Sequence, residues 1–385
     1  MIYKTPELTE AEAVVLDEIG KIRTAIKFSL HAPARWVGIL RRSSFARAIR
    51  GSNSIEGYNV TAEDALAAIE GEAPLDAQSE TWLAIKGYRD AMTYVLQSAN
   101  DPHFSYNDGL IKSLHFMMVQ HELKKHPGTW RPGSIYVRDE QKGVIVYEGP
   151  DADSVPKLML EMIGCLNSDS VTPPLIRAAM AHLNLVMIHP FSDGNGRMGR
   201  CLQTLVLARE GILEPQFCSI EEYLGRNTQE YYDVLGIVGK GSWHPNHDAR
   251  SWVRFCLTAH YRQAKINVRR IEELRRVWDE VEVLIEEHRL PERCIYALAD
   301  ATMGFKIRNA TYRSIAEISE NLASRDLKAL VDCKLLIADG ETRGRAYAAS
   351  PIFQGIRKRN RLPKTVEDPF HNDPNQTLLP GVVLP

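Results

Sequence analysis

Twelve consecutive residues, His189 to Arg200, hold the densest chemistry in this 385-residue chain: His-Pro-Phe-Ser-Asp-Gly-Asn-Gly-Arg-Met-Gly-Arg. They combine an imidazole, a carboxylate, an amide and two guanidiniums with the permissive glycines Gly194 and Gly196. Of these side chains only His189 has an ordinary pKa near neutrality, so it is the candidate general base. Glycine lets backbone N–H groups crowd a ligand, and a helix starting there contributes the positive end of its dipole. The set describes an anion cradle with a base beside it. A plain interhelical turn would use the glycines and the asparagine, but has no need of His, Asp and two Arg together.

Elements on both sides must position this stretch. Apolar segments Leu183–Ile188 and Cys201–Ala208 run into and out of it, and Pro190 with the glycines interrupts helix between them. The pattern predicts a loop between buried helices at 174–188 and 198–211. Upstream, helical spacing covers 8–29, 34–52 (after Pro33), 61–69 with Thr61 as cap, 79–96, and a helix opened by Asn107 or Asp108. Residues 134–137 and 144–147 read as a β-hairpin around Asp139–Gly143. Helices are expected at 152–167, 227–238 and 248–270, with 271–290 as a helical link. Beyond Pro291, helices at 292–302, 311–318 and 322–333 precede strands at 335–338 and 345–349, the order of a winged helix-turn-helix. The tail after 362 is expected to be surface-bound or disordered. No internal repeat of solenoid length is present.

Composition narrows the function classes. A net charge of −2 argues against bulk electrostatic binding of nucleic acid, though not against a local patch. The six cysteines are scattered without CxxC spacing, as buried thiols in a reducing compartment would be. The first residues lack an apolar h-region and no window reaches membrane-spanning length, so a soluble, cytoplasmic protein is expected.

Residues 189–200 resemble the active-site motif of Fic-domain proteins, His-Pro-Phe-x-(Asp/Glu)-Gly-Asn-Gly-Arg-x-x-Arg, at every specified position. The likeness covers roughly residues 35–260. Pro127–Val137 is similar to the segment leading into that family's target-docking flap. Asn227–Tyr232 and Trp252-Val253-Arg254-Phe255 are similar to the elements that close its fold. The resemblance implies a mostly α Fic fold, a helical bundle with a β-hairpin flap, followed here by the winged helix-turn-helix. The expected divisions are N-terminal helices 1–105, catalytic core 106–265, helical link 266–290, winged domain 291–350 and tail 351–385. The implied activity is protein adenylylation: AMP moves from ATP to a Tyr, Thr or Ser hydroxyl of a target or of the enzyme itself, and pyrophosphate leaves. An extended target segment would add a strand to the hairpin at 134–147.

Adenylyl transfer needs these residue types. His189 would take the hydroxyl proton, and Arg197 would offset charge on the transferred phosphate. Gly194 and Gly196 would admit the phosphates, and Asn195 would bond an α-phosphate oxygen. Asp193, the loop's one carboxylate, would hold Mg²⁺. Arg200, on the same helical face as Arg197, would reach the γ-phosphate. By the resemblance, Phe191 faces the core and anchors the loop. Asn227, Tyr231 and Tyr232 are candidates for the adenine end. His182, His121 and His126 are read as a core histidine and two surface histidines.

Ser52-x-x-x-Glu56-Gly57 resembles the same family's inhibitory motif, (Ser/Thr)-x-x-x-Glu-(Gly/Asn). Glu56 paired with Arg200 would occupy the γ-phosphate's cation and leave ATP in a pose unfit for in-line attack. Alternatives are AMP removal or another nucleotidyl or phosphoryl transfer on the same fold, or a DNA-binding regulator with a sensory Fic domain. Ser324–Leu330 reads as a recognition helix with Arg343 and Arg345 flanking the wing turn, but Asp326 offsets Arg325 and Lys328. A homodimer is kept among the partner expectations.

Overall fold

The computed structural model describes residues 1–371 except 32–34, 75–77, 140–141, 212, 341–344 and 365–366. Pro33, Ala34, Arg343 with the expected wing turn at 341–344, and the tail from 372 lie outside the described residues.

Helix α1 (Glu10–His31) turns Val15, Ile19, Ile26 and Leu30 inward on one stripe. Helix α2 (Val37–Ile55) runs past the expected end at 52, which places Ser52 inside its last turn. It stops at Glu56, where Gly57 supplies the left-handed φ of 84° that a C-terminal cap requires. Helices α3 (Ala62–Glu70) and α5 (Asp108–Val119) are capped by the side chains of Thr61 and Asn107, and α4 (Ser79–Ser98) lies between them in sequence. Strands β1 (Tyr136–Asp139) and β2 (Val144–Glu148) pair antiparallel, with a bulge at Val137/Arg138.

After α6 (Val155–Ser168) come the two central helices. In α7 (Pro174–Ile188) every residue from Ala178 to Ile188 is buried, and α8 (Asn195–Arg209) is buried all round apart from Gly196 and Arg209. Two short helices absent from the sequence reading follow, α9 (Pro215–Cys218) and α10 (Glu221–Arg226), and then α11 (Thr228–Gly239). A single 38-residue helix, α12 (Arg250–Glu287), replaces the expected helix plus link. Its inward residues, from Trp252 through Leu274 to Ile285, keep one helical period throughout, so nothing marks a break at 265 or 270.

The C-terminal part consists of α13 (Cys294–Thr302), β3 (Ile307–Arg308), α14 (Asn309–Ala316), α15 (Glu320–Asp332), β4 (Leu336–Asp339), β5 (Ala346–Ala349) and α16 (Pro351–Asn360). The strands form one antiparallel sheet in the order β3-β5-β4. Helix α16 falls where the tail was expected, because Phe353 and Ile356 give it a buried face. Asp326 does not offset Arg325: it turns inward to Arg293 (2.7 Å) and the Tyr312 hydroxyl (3.0 Å). Arg42–Asp300 (2.7 Å) and Arg308–Glu72 (3.0 Å) dock this part on the N-terminal helices. Among the described residues no helix is long and apolar enough to cross a membrane.

Candidate active site

Helix α7 ends at Ile188 because His189 adopts a left-handed φ of 52°, and Gly194, at φ 78°, starts the next helix. Helix α8 begins at Asn195, three residues earlier than expected. The loop is therefore only His189–Gly194, and Asn195, Gly196 and Arg197 form a first helical turn with no side-chain cap.

The His189 Nδ1–H donates to the Val186 carbonyl at 3.1 Å, which leaves Nε2 as the lone-pair nitrogen. Burial pushes its pKa down, the Val186 bond works the other way, and the Arg131 cation adds to the lowering. The ring is thus a neutral base. Arg131, buried, donates through Nε to the His189 carbonyl (2.8 Å) and through its backbone N–H to the Pro190 carbonyl (2.9 Å). Its other guanidinium nitrogens reach the carbonyls of Gly133 (2.5 Å) and Pro150. One cation therefore ties the base of the hairpin to the loop that carries His189.

Beneath the loop, Phe191 is fully buried as expected and stacks on His115 with ring centroids 3.7 Å apart. His115 Nδ1 accepts from the Gly128 N–H (2.9 Å), so its Nε2–H donates to the Asp193 carbonyl (3.0 Å). Burial pushes this imidazole down to about 4, so it stays neutral. Asn195, expected at an α-phosphate oxygen, is also a clamp on the loop. Its side-chain oxygen accepts from the Phe191 N–H (2.9 Å) and its amide donates to the Phe191 carbonyl (2.8 Å). Both ends of the amide clamp the loop, which leaves one N–H for any further contact.

Two buried guanidiniums stand at the start of α8, each 1% exposed. Arg200 donates through Nε to Ser52 Oγ (2.8 Å), and through Nη2 to the Ser52 carbonyl (3.0 Å) and Glu56 Oε1 (2.6 Å). Burial would lower its pKa, but the Glu56 carboxylate outweighs burial and holds it raised. Arg197 lies over the Tyr58 ring (5.3 Å), with Nη2 3.5 Å from Asp193 Oδ2. Among the described residues, Arg197 Nε and Nη1 and Arg200 Nη1 are buried without any hydrogen-bond partner. Buried donors are nearly always satisfied, so three idle ones beside a helix N-terminus mark a place for an anion. Gly196 keeps that place open: a Cβ there would strike Glu56 Oε1 and come within 3.1 Å of Arg200 Nη1.

Asp193 is met by Lys125 at 2.9 Å. Burial alone would raise its pKa, but Lys125 and Arg197 hold it low. No group of three or more His, Cys, Asp or Glu side chains able to hold a metal occurs among the described residues. The donor set does not suit a resident metal. It fits a cation that arrives on phosphates and needs one carboxylate, provided Lys125 yields.

The adenine-end candidates separate. Tyr231 is fully buried and donates its hydroxyl to His182 Nε2 (3.1 Å), whose Nδ1–H is held by Gln203 Oε1 (2.6 Å). It is a strut beneath α8, since a ring with no exposed face cannot stack on a purine. The Asn227 amide donates to the Tyr223 carbonyl (2.8 Å), while Tyr232 keeps an exposed ring with its hydroxyl 3.4 Å from the Ile55 carbonyl, next to Glu56. His121 is not a surface residue in its ring: both nitrogens are buried and unpartnered, in the field of Arg197 and Lys125. Sequence reasoning missed Tyr58, His115, Lys125 and Arg131. Only Arg131, an arginine inside a Pro/Gly turn, carried a local signal.

Residues 106–207 match the model of the Fic/DOC family. Proteins named protein adenylyltransferase Fic are similar to this chain: one from Culex quinquefasciatus is 30% identical over 62% of this chain and 44% of its own length. A second, from Nematostella vectensis, is 25% identical over 65% of this chain and 55% of its own length. The chain thus spans about half the length of these relatives. Among solved structures, a Fic family protein from Desulfovibrio desulfuricans G20 superposes over 91% of this chain and 99% of its own, with a TM-score of 0.59 at 23% identity. Fic-1 from C. elegans superposes over 66% and 72%, with a TM-score of 0.51 at 20% identity. The chain thus shares the fold of these structures, and its residues 106–207, which hold the loop, match the Fic/DOC family model.

Proposed function

We propose that this protein is an adenylyltransferase that moves AMP from ATP to a hydroxyl side chain of a target protein and of itself, and that Glu56 restrains it. The observation that carries the reading is the set of idle donors on Arg197 and Arg200, beside a His189 whose Nε2 is free. Relatives named protein adenylyltransferase support the same reading. In this account the substrate hydroxyl oxygen attacks the α-phosphorus and His189 Nε2 accepts its proton. The bond from the α-phosphorus to the oxygen bridging the β-phosphate breaks, and pyrophosphate leaves. Arg197 and the first-turn N–H groups of α8 offset charge on the transferred phosphate. Asp193 would hold a Mg²⁺ carried on the phosphates, which supplies further charge neutralisation there. The exposed Val144, Ile145 and Val146 on β2 suit an added target strand.

The brake is competition for one cation. While Glu56 holds Arg200 Nη2, the γ-phosphate lacks its bidentate partner and the triphosphate is not aligned for displacement. Incubation with α-labelled ATP tests the activity: a label on the protein that disappears in His189→Ala is expected, and no label in any form of the protein would refute it.

A second role has one observation in its favour. With Asp326 turned inward, the outer face of α15 presents Ser324, Arg325 and Lys328 unopposed, as a duplex-DNA contact would require. A salt-dependent mobility shift with duplex DNA, lost in Arg325→Ala/Lys328→Ala, is the expected result; no shift at low salt would exclude it.

A further inference from the structure

A second group of guanidiniums, sharing no residue with the active site, lines a cavity where α2, α10, α12 and α16 meet. The room inside it is about 190 Å³, less than drug-sized ligands need and suited to a compact ion. Six arginines line it: Arg47 on α2, Arg226 on α10, Arg269 and Arg270 on α12, and Arg357 and Arg361 at α16, joined by Lys364. One carboxylate, Glu273, faces them from the wall and lies 3.5 Å from Arg269. Glu222, behind the wall, is shared between Arg270 and Arg226. Arg47, Arg357, Arg361 and Lys364 have no ion-pair partner among the described residues.

The positive charge is therefore uncompensated where it is partly withdrawn from water. Arg47 Nη1 is buried with no hydrogen-bond partner, and Arg269 Nε has only the 3.5 Å contact with Glu273. Burial and the nearby Arg270 push the Arg47 guanidinium down to about 9. Arg47 thus has a buried nitrogen and no ion pair, and the exposed Arg357, Arg361 and Lys364 add unpaired charge at the mouth. Seven cations face two carboxylates, and the excess calls for a counter-ion from outside the chain. Planar guanidinium forks match phosphate oxygens two at a time, and several forks converging on one cavity suit several phosphates. The remaining lining is Val277, Met303 and Asn360, with no aromatic face on which a base would stack. The ligand is thus read by its phosphates. Enclosure between four helices selects a small molecule over a polymer.

We propose that this cavity is a binding site for a compact anion carrying several phosphate groups, of the pyrophosphate and short-polyphosphate class. The test is calorimetric titration of the full chain with sodium tripolyphosphate at physiological ionic strength, with sodium sulfate at matched ionic strength as the control. Saturable binding of one tripolyphosphate per chain, not reproduced by sulfate, is expected. Arg357→Gln/Arg361→Gln, which changes only exposed side chains, should weaken it by at least about tenfold, as expected for loss of two charge-assisted contacts. Arg197→Met should leave it intact. Without anion, the double variant should melt at the same temperature as wild type or higher, because it relieves repulsion. The proposal is overturned by absence of saturable binding, by equal binding of sulfate, or by binding that survives in the double variant and vanishes in Arg197→Met. A double variant that melts lower without anion would also overturn it, by making these arginines structural.

Discussion

The Arg270–Glu222 and Arg200–Glu56 pairs share a 2.6 Å contact and have opposite construction. Glu222 meets Arg270 with both oxygens, on Nη1 and Nη2, and each side chain is 10% exposed. Arg226 adds a further contact to Glu222 at 2.7 Å. Glu56 offers Arg200 one oxygen, is 22% exposed, and sits just past the end of α2, while Arg200 retains an idle Nη1. The first pair joins α10 to α12 and has no reason to open. The second joins a helix end to the proposed phosphate site and is half-made. The proposed brake has to be releasable, and a single contact at a helix terminus is a construction that would allow it.

The largest expected difference is in stability. Glu222→Gln leaves Arg270 buried beside a neutral partner and should cost about 3–5 kcal/mol by denaturant unfolding. Glu56→Gln should cost less, about 1.5–3 kcal/mol, because Glu56 is partly exposed and Arg200 keeps both Ser52 contacts. Equal costs would erase the distinction between strut and brake.

Acid should separate the two regions next. His115 and His182 support the loop as neutral rings, pushed down by burial to about 4 and about 3. Their folded values lie below the unfolded one, so their contribution is complete above about 6.5 and is lost as pH falls toward 4, roughly 3 kcal/mol each. For Glu222, burial would raise the pKa, but Arg270 overrides it and holds it at about 2, so that pair weakens only between about 4.5 and 2. Hydrogen exchange at pH 5 should therefore speed up in residues 189–200 before the α10–α12 contact; the reverse order would contradict this assignment. A smaller effect tests the clamp: Asn195→Ala should cost about 1–3 kcal/mol through the two lost Phe191 bonds and lower labelling in the Glu56→Gly background. Undiminished labelling would contradict the clamp.

What could be read from the sequence follows from the range of each contact. The Ser52–Glu56–Arg200 constellation was legible because two motifs named its members, although 144 residues separate the carboxylate from the guanidinium. Thr61 and Asn107 were legible as caps because their partners lie three residues away. The Asn195 clamp went unread although its partner is four residues back, since a side chain that can bond a phosphate can equally bond Phe191. Lys125 on Asp193 and His115 under Phe191 depend on α5 folding over the loop, which no local pattern encodes. Tyr231 and Tyr232 are adjacent, yet one is a strut and the other is exposed; α11 sets them on different faces, and composition carries no trace of that.

The central claim is that Glu56 restrains catalysis at His189 by occupying Arg200. Auto-labelling with α-labelled ATP, compared among wild type, Glu56→Gly and Glu56→Gly/His189→Ala, tests it most directly. The account predicts at least about a tenfold higher rate in Glu56→Gly, the equivalent of about 1.4 kcal/mol, and none in the double variant. Equal rates in wild type and Glu56→Gly would contradict it.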